Sequence, residues 1–436
     1  MSPAFRSLRV RNYRLFAGGQ VVSLTGTWMQ RTAQDWLVLQ LSHNSGTAIG
    51  IVTALQFLPM LMFGLYGGVI ADRYDKRRTL IWAQAAMGVL ALVLGILTVA
   101  GAVRLWEVDV LAFALGLATV FDTPVRQAFV QELVGREELP NAISLNSATF
   151  NAARVVGPAV AGLLIHSIDT GPVFLINAVS YLAVIAGLRA IRVQELHVTR
   201  RLVRGKGQLK EGLAYVRGRP DLLVPIALVG VIGMFGLNFQ LTTALIAKIT
   251  FHRDAASYGL LGTCFAFGSL GGALVSARNS GGGRRPRQRT YLVAGTAFGL
   301  LEAVTGLMPT FLSFALLLIP TGAMVLTFTV SANSTVQLGA DPQIRGRVMA
   351  IYVLVFLGGT PVGAPLIGYV AEVFGPRSSL VVGGLVSAAA ALACAVLLAA
   401  RSGRLPRAVS YGRRRGDAVI AEEPLPAESL SSASVD

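Results

Sequence analysis

Apolar positions run in long blocks along this chain, with the polar positions gathered between them. Ile49 to Ala71, Thr79 to Ala100, Pro172 to Ala190 and Ser378 to Ala400 are each long enough, at about 1.5 Å per helical residue, to cross a hydrocarbon core of about 30 Å. The full pattern predicts about twelve spans, at residues 13–40, 48–71, 79–100, 106–127, 141–166, 171–192, 221–249, 256–278, 290–308, 311–334, 348–373 and 377–401. The expected fold class is an all-α polytopic membrane protein. Its longest hydrophilic break, "RVQELHVTRRLVRGKGQLKEGLAYVRGRP" at 192–220, separates six spans from six. Within that break Leu209, Leu213 and Val216 recur at i, i+4 and i+7 beside Lys206, Lys210 and Arg217. This is the pattern of a short amphipathic helix on the inner membrane surface, or of a merely solvated loop. The organisation read from it is an N-terminal half over 1–192, a basic cytoplasmic linker over 193–220, a C-terminal half over 221–401 and a disordered tail over 402–436, where apolar surface is too sparse to offset ordering entropy.

Composition agrees with lipid as the solvent. The chain is 53% hydrophobic and 14% charged, where a soluble domain carries about a quarter of its residues as charges. The N-terminus "MSPAFRSLRVRNYRLF" is basic and amphipathic, and the first apolar helix lacks a small-residue cleavage site, so the first span is expected to remain as an anchor. A net charge of +16 would suggest nucleic acid in a soluble protein, but its placement says otherwise. Of the 38 Lys and Arg, 32 fall on one side of the twelve-span topology; Arg104, Lys248, Arg253 and Arg377 fall on the other, and Arg31 and Arg154 lie inside spans. By the positive-inside rule both termini are cytoplasmic, with an attraction to anionic lipid headgroups and no nucleic-acid partner. The 34 Arg against 4 Lys suggest a GC-rich bacterial genome, hence a bacterial inner membrane.

Cys264 and Cys394 read as small apolar fillers, and His43, His166, His197 and His252 are scattered without metal spacing. No G-x-x-x-x-G-K-[ST] occurs, so neither a cofactor, a metal nor a nucleotide is expected, and no nucleophile–base pair argues for an enzyme.

The chain also repeats itself. "VQELVGREELPNAISL" followed by "VGPAVAG" has a counterpart in "VQLGADPQIRGRVMAI" followed by "VGAPLIG"; Gln131 and Gln337, Gly157 and Gly363, and Gly162 and Gly368 share an offset of 206 residues. Two related six-helix halves argue for a secondary transporter with its site between them, for which a monomer suffices.

The densest charge cluster, "GGVIADRYDKRR" at 67–78, falls between the second and third spans. Its spacing, Gly68, Asp72, Arg73, Arg77 and Arg78, resembles the loop signature of the major facilitator superfamily, with Asp75 where that signature has a further glycine. "DTPVRQAFVQELV" at 122–134, the "NA" at 141–142 and "GPAVAG" at 157–162 resemble the branch that contains enterobactin exporters and macrolide-efflux proteins, over about residues 5 to 400. The resemblance implies the major facilitator fold in two pseudo-symmetric halves and a cytoplasmic gating motif of Gly68, Asp72, Arg73, Arg77, Arg78, Asp122 and Arg126. In that gate Asp72 would meet the N-terminus of the eleventh span near residues 345–348, and Arg73 would pair with Asp122. Gly157, Pro158 and Gly162 resemble the antiporter signature of the fifth span, where a bend would let the halves move. The ending Ala161–Gly162 departs from the signature.

Charges inside spans are costly and therefore functional candidates. Gln20, Ser23, Thr27, Gln30, Arg31, Gln34 and Asp35 form a polar stripe expected to line a central cavity. Asp35 is the proton-coupling candidate; Arg31, at i, i+4, is its expected partner, and Arg154 either pairs with Asp35 or holds an anionic substrate group. Glu302 is the weaker candidate, because the ninth span packs peripherally in the superfamily the chain resembles. From the second half Asn238, Gln240, Thr327 and Asn333 are expected to add polar contacts, and Trp28, Trp36, Phe57 and Phe239 suit a bulky amphipathic ligand. The resulting expectation is a proton-coupled exporter of a small amphipathic molecule such as a drug, siderophore or secreted metabolite. Import or facilitation by the same fold, a membrane enzyme and a non-transporting sensor stand as alternatives.

Overall fold

The computed structural model describes residues 3–197, 208–280 and 288–402. The chain divides into two compact units, Met1–Val396 and Leu397–Asp436, and the helical bundle belongs to the first. The expected disordered tail beyond 402 and Lys206 lie outside the described residues, as do the side chains of Asp72, Leu209 and Lys210 and the surroundings of Gly68.

Helices account for nearly all of the described chain: α1 Arg11–Leu41, α2 Gly46–Arg73, α3 Lys76–Val99, α4 Leu105–Ile168, α5 Thr170–Arg189, α6 Gln208–Arg217, α7 Pro220–Phe235, α8 Phe239–Leu245, α9 Ala255–Ser280, α10 Gln288–Gly306, α11 Phe311–Gly339, α12 Arg345–Phe374 and α13 Pro376–Ser402. Nine described stretches are long and apolar enough to cross a membrane, with α7 and α8 joined in one of them. The 64-residue α4 supplies two crossings. With α1, whose polar stripe lowers its apolarity, and α10, which carries Glu302, the spans number twelve. This is the expected all-α fold.

One glycine makes α4 two spans. Gly135 has φ +71° and ψ −173°, a left-handed backbone that costs a glycine nothing sterically. Before it, Gly116 abuts the Gln56 carbonyl and Gly67 abuts Val120, so this limb runs alongside α2. After it, the Tyr13 hydroxyl donates to the Ala142 carbonyl at 2.9 Å and Gly157 abuts Trp28, so the second limb runs with α1. The sequence pattern leaves a loop between 127 and 141; the backbone instead stays helical almost to the reversal.

The repeat is visible in the packing. Gly157 lets the second limb of α4 close on α1, and Gly363, 206 residues on, lets α12 close on the Met234 carbonyl of α7. Gly162 meets Ala255 and Gly259 of α9, while Gly368 meets Gly46 of α2. In each pair, one glycine seats a helix within its own half and the next seats it on the other half, as small residues do between membrane helices.

For orientation, the end of the bundle that carries the α2–α3 connection, Gly135 and α6 is called the basic end; the end that carries residues 42–45, 169, 251–254 and 375 is the far end. The amphipathic α6 forms as the spacing predicts, but it docks on protein rather than lying free: Val216 is buried, Gly212 packs on Arg347 and Ile351 of α12, Glu211 pairs with Arg347 at 2.6 Å, and the Tyr215 hydroxyl donates to Asp341 at 2.7 Å. Beside it Arg219 grips Asp221 at 2.7 Å, which holds its guanidinium above the usual range.

Candidate functional site

A cavity of about 280 Å³ lies between the halves. Trp28, Arg31, Thr32 and Phe57 line it from α1 and α2, Arg154 and Pro158 from α4; Phe239, Gln240 and Thr243 of α8, Tyr258 and Phe265 of α9, Thr329 of α11 and Phe356 of α12 line the opposite wall.

The Trp28 ring lies between two guanidinium groups, with Arg31 5.0 Å and Arg154 5.6 Å from its centroid. Arg31 also faces Phe57 at 5.6 Å and Arg154 faces Phe265 at 5.7 Å. Among the described residues neither guanidinium has a carboxylate within ion-pairing distance. Arg31 and Asp35 therefore act on each other as opposite charges without touching, and the expected direct Arg154–Asp35 pair is not formed. Asp35 Oδ2 instead accepts a 2.8 Å hydrogen bond from the Tyr258 hydroxyl, which crosses from one half to the other. The Tyr258 ring, stacked on Trp36 at 6.2 Å, fixes that direction.

The polar stripe of α1 divides. Thr27, Gln30 and Gln34 lie about one residue's 100° of turn from Trp28, Arg31 and Asp35, and that rotation decides their partners. Gln30 accepts from Asn177 of α5 at 2.5 Å, Thr27 lies 3.4 Å from the Tyr181 hydroxyl, and Gln20 accepts from Arg126 at 3.4 Å. These residues knit the N-terminal half together rather than line the cavity, and Gln34 is buried outside the lining. Of the polar residues expected from the second half, Gln240 alone joins the lining. Thr327 bonds its own helix at the Ala323 carbonyl, Asn333 bonds Tyr352, and Asn238 donates to the Met234 carbonyl at 2.8 Å. Gly157 and Pro158 keep helical backbone; the only non-helical residue inside α4 is Gly135. Pro158 sits against Gly259 and Gly262 of α9.

At the basic end, Arg77 donates to the Leu188 and Arg189 carbonyls at 2.6 and 3.0 Å, closing the exposed C-terminus of α5 with a cation. Asp75 has an ordinary extended backbone, φ −62° and ψ 114°, and its Oδ1 accepts from the Arg78 amide at 2.7 Å, so it caps α3 where the resembled signature has glycine. Asp122 is taken by Arg126 at 3.1 Å and by Gln84 at 2.7 Å, while Arg73 and the Arg78 side chain are exposed. The expected Arg73–Asp122 pair is therefore not formed: Asp122 points into the bundle, and α3 supplies a closer donor. Of the expected contact near residues 345–348, Gly346 meets nothing within 4 Å, and Asp72 is outside the described side chains.

The far end is where the halves hold each other. Glu372 of α12 accepts from the Ser45 hydroxyl at 2.7 Å and the Thr47 amide at 2.9 Å, placing a carboxylate on the positive N-terminus of α2. His166 lies 3.0 Å from Asp254, whose carboxyl the Ser257 amide holds below the usual range. Toward the basic end Met62, Tyr66, Phe150 and Val353 are exposed on helices that abut across the halves elsewhere. The sequence offered no linear signal for Tyr258, Phe265 or Glu372, because each acts on a residue more than a hundred positions away.

The transmembrane secretion effector family model matches residues 2–423. The chain belongs to that family, within the major facilitator superfamily. It is 24% identical to macrolide efflux protein A of Streptococcus pyogenes over 90% of this chain and 97% of that one. It is 28% identical to the multidrug efflux pump Tap of Mycolicibacterium fortuitum over 80% and 87%, and 28% identical to the staphyloferrin A transporter of Staphylococcus aureus over 38% and 42%. In fold it resembles a bacterial homologue of the human lysosomal transporter Spinster, with a TM-score of 0.72 at 13% identity over 89% of this chain and 98% of that one. The chain is thus a multi-pass membrane transporter of the major facilitator type, and the inter-half cavity is the candidate passage for its cargo.

Proposed function

We propose that this transporter is a proton-coupled antiporter exporting small amphipathic molecules that carry an anionic group, with the basic end facing the cytoplasm of a bacterial inner membrane and both termini inside. The observation that carries the reading is the pair of guanidinium groups on one cavity wall, neither in direct contact with a carboxylate among the described residues, with Asp35 acting on Arg31 from a distance while it reaches across to the other half. An arginine at the bilayer centre costs about 2.5–3.5 kcal/mol on insertion scales. Each cation–π contact recovers about 0.5–2 kcal/mol. The aromatic rings therefore hold Arg31 and Arg154 in place without occupying their N–H donors, which leaves those donors for an incoming anion.

Asp35 supplies the coupling. Ionised, it is the better acceptor for Tyr258 and draws α9 onto α1; protonated, it binds that hydroxyl less strongly and frees the contact between halves. The far-end contacts between the halves, with Met62, Tyr66, Phe150 and Val353 exposed toward the basic end, support a reading of this conformation as open to the cytoplasm. Halves of 1–192 and 221–401, joined by the 193–220 linker, would rock about the cavity. Export, rather than import, follows what the efflux relatives' names state of those proteins.

The test is accumulation of a labelled carboxylate siderophore and a labelled macrolide in everted membrane vesicles, with and without a protonophore, for wild type and Asp35→Asn. Accumulation that the protonophore collapses and Asp35→Asn abolishes supports coupled export through this site. Unchanged protonophore-sensitive accumulation in Asp35→Asn at normal expression removes Asp35 from the coupling.

A further inference from the structure

A second carboxyl group lies inside the membrane, away from the cavity. Glu302 of α10 is 2% exposed, and its Oε2 has no hydrogen-bond partner among the described residues. Ser387 of α13 is 0% exposed, and its hydroxyl is equally without a partner. Both surround Gly236, in the break between α7 and α8: a Cβ placed on Gly236 would stand 3.1 Å from Glu302 Oε2 and 2.7 Å from both Ser387 Oγ and the Phe298 ring. From the other side a Cβ on Gly383 would stand 3.2 Å from Glu302 Oε1 and 2.5 Å from the Phe235 carbonyl. The buried Asn238, at the end of the same break, also has an unpartnered Oδ1. Three helices thus close around one carboxyl group at the point where the span built from α7 and α8 is interrupted; among the described residues no cation acts on it.

We propose that Glu302 is a second proton-binding site of this transporter, loaded in the present conformation and coupled to the α7–α8 break. An ionised carboxylate with no counter-charge in a low-dielectric interior is among the costliest arrangements a membrane protein can hold, whereas the protonated acid is neutral and has a hydroxyl to donate. A metal ion does not fit as the occupant: a hard cation takes about six or more oxygen ligands, and here one carboxyl group, one hydroxyl and one peptide carbonyl face an aromatic ring with no room for a methyl group between them. A proton needs no such shell.

The break gives the site its reach. Immediately after it, Phe239 and Gln240 line the cavity; Phe239 stacks on Phe265 at 4.4 Å and lies 6.0 Å from Phe298, the ring that packs beside Glu302 through Gly236. Movement of α8 during transport therefore shifts both the cavity wall and the surroundings of Glu302. Discharge of the proton requires that the break open toward water, and its return reseals the contact. This site is distinct from Asp35, whose carboxylate is held by Tyr258 rather than by any group around Gly236.

The test is infrared difference spectroscopy of the purified full chain in phospholipid nanodiscs at neutral pH, comparing wild type with Glu302→Gln, Asp35→Asn and Gly236→Ala. Glu302→Gln keeps the size and neutrality of the protonated acid, so the fold is expected to survive. The expected result is that Glu302→Gln removes a protonated-carboxyl C=O stretch that shifts in D2O, that Asp35→Asn leaves this band in place, and that Gly236→Ala displaces it. If Glu302→Gln instead removes a carboxylate stretch and no acid band, Glu302 is ionised and the proposal is overturned. Should Glu302→Gln fail to fold, Gly236→Ala alone decides: a displaced acid band supports the site, and an acid region identical to wild type overturns it.

Discussion

The two walls of the cavity share an ancestral scaffold and little chemistry. The wall from the N-terminal half carries Arg31 and Arg154 around Trp28; the wall from the C-terminal half offers Phe239, Phe265 and Phe356 with the hydroxyls of Thr243, Thr329 and Tyr258, the last held by Asp35. What the repeat preserves is close approach, since Gly157 and Gly363 do the same work 206 residues apart. What it lets drift is charge. A substrate held between such walls presents its anion to one half and its apolar body to the other, so rocking of the halves changes both interactions together.

That contrast is open to direct attack. The largest effect is expected from the charged wall: Arg154→Gln or Arg31→Gln should lower transport of an anionic cargo on the order of tenfold to a hundredfold, since a hydrogen bond to a charged group contributes about 1.5–3 kcal/mol. Initial uptake rates in everted vesicles would show it. Gly363→Ala comes next and tests the scaffold that both walls share, because its Cβ overlaps the Met234 carbonyl; overpacking of this kind costs about 1–3 kcal/mol, and Gly157→Ala should lower thermal stability comparably. Equal loss in the pair is the signature of duplicated function, read from melting in detergent.

On the apolar wall, Phe239→Ala should weaken binding by only about twofold to tenfold, the factor that matches an aromatic contact of about 0.5–1.5 kcal/mol, and should do so for anionic and neutral cargo alike. Binding of a fluorescent cargo to the purified protein would measure it. The smallest expected effect is at the far end. Asp254→Asn weakens an exposed carboxylate–imidazole contact, worth at most about 1 kcal/mol when His166 is protonated, and should slightly raise the far-open population, measured by spin-label distances between the halves. The Ser257 amide holds the Asp254 carboxyl below its unfolded value, so its contribution is present above that value and fades only as pH falls through the lowered one. Asp254 should therefore keep its charge between neutral and mildly acid pH, and its contact with His166 is an ion pair only while the imidazole is protonated.

Much of the fold was legible because membrane spans announce themselves by length and apolarity, and the offset of 206 residues gave away the duplication before any contact was visible. The loop signature was legible as residues but not as partners. Arg77 closes α5 and Asp75 caps α3 through local geometry, whereas Asp122 chose Gln84, a neutral donor no charge count would nominate. The stripe on α1 shows why site prediction stops short of fold prediction. Every polar residue in a span looks cavity-facing in one dimension, yet a single residue's rotation sends Gln30 to Asn177 and Arg31 to Trp28. Glu302 was underrated for a similar reason: its span looked peripheral, but the carboxyl group points inward to the α7–α8 break, a feature that twelve uninterrupted apolar blocks do not reveal.

Recognition of an anion by one wall is the central claim, and one measurement tests it most directly. Everted vesicles with an imposed proton gradient would be offered two probes built on the same aromatic body, one ending in a sulfonate and the other in a quaternary ammonium. The sulfonate is expected to accumulate, a protonophore to abolish that accumulation, and the Arg31→Gln/Arg154→Gln double variant to reduce it at least about tenfold, the factor that matches losing about 1.4 kcal/mol of binding. Accumulation of the ammonium probe in preference to the sulfonate, unchanged by the double variant, would contradict it.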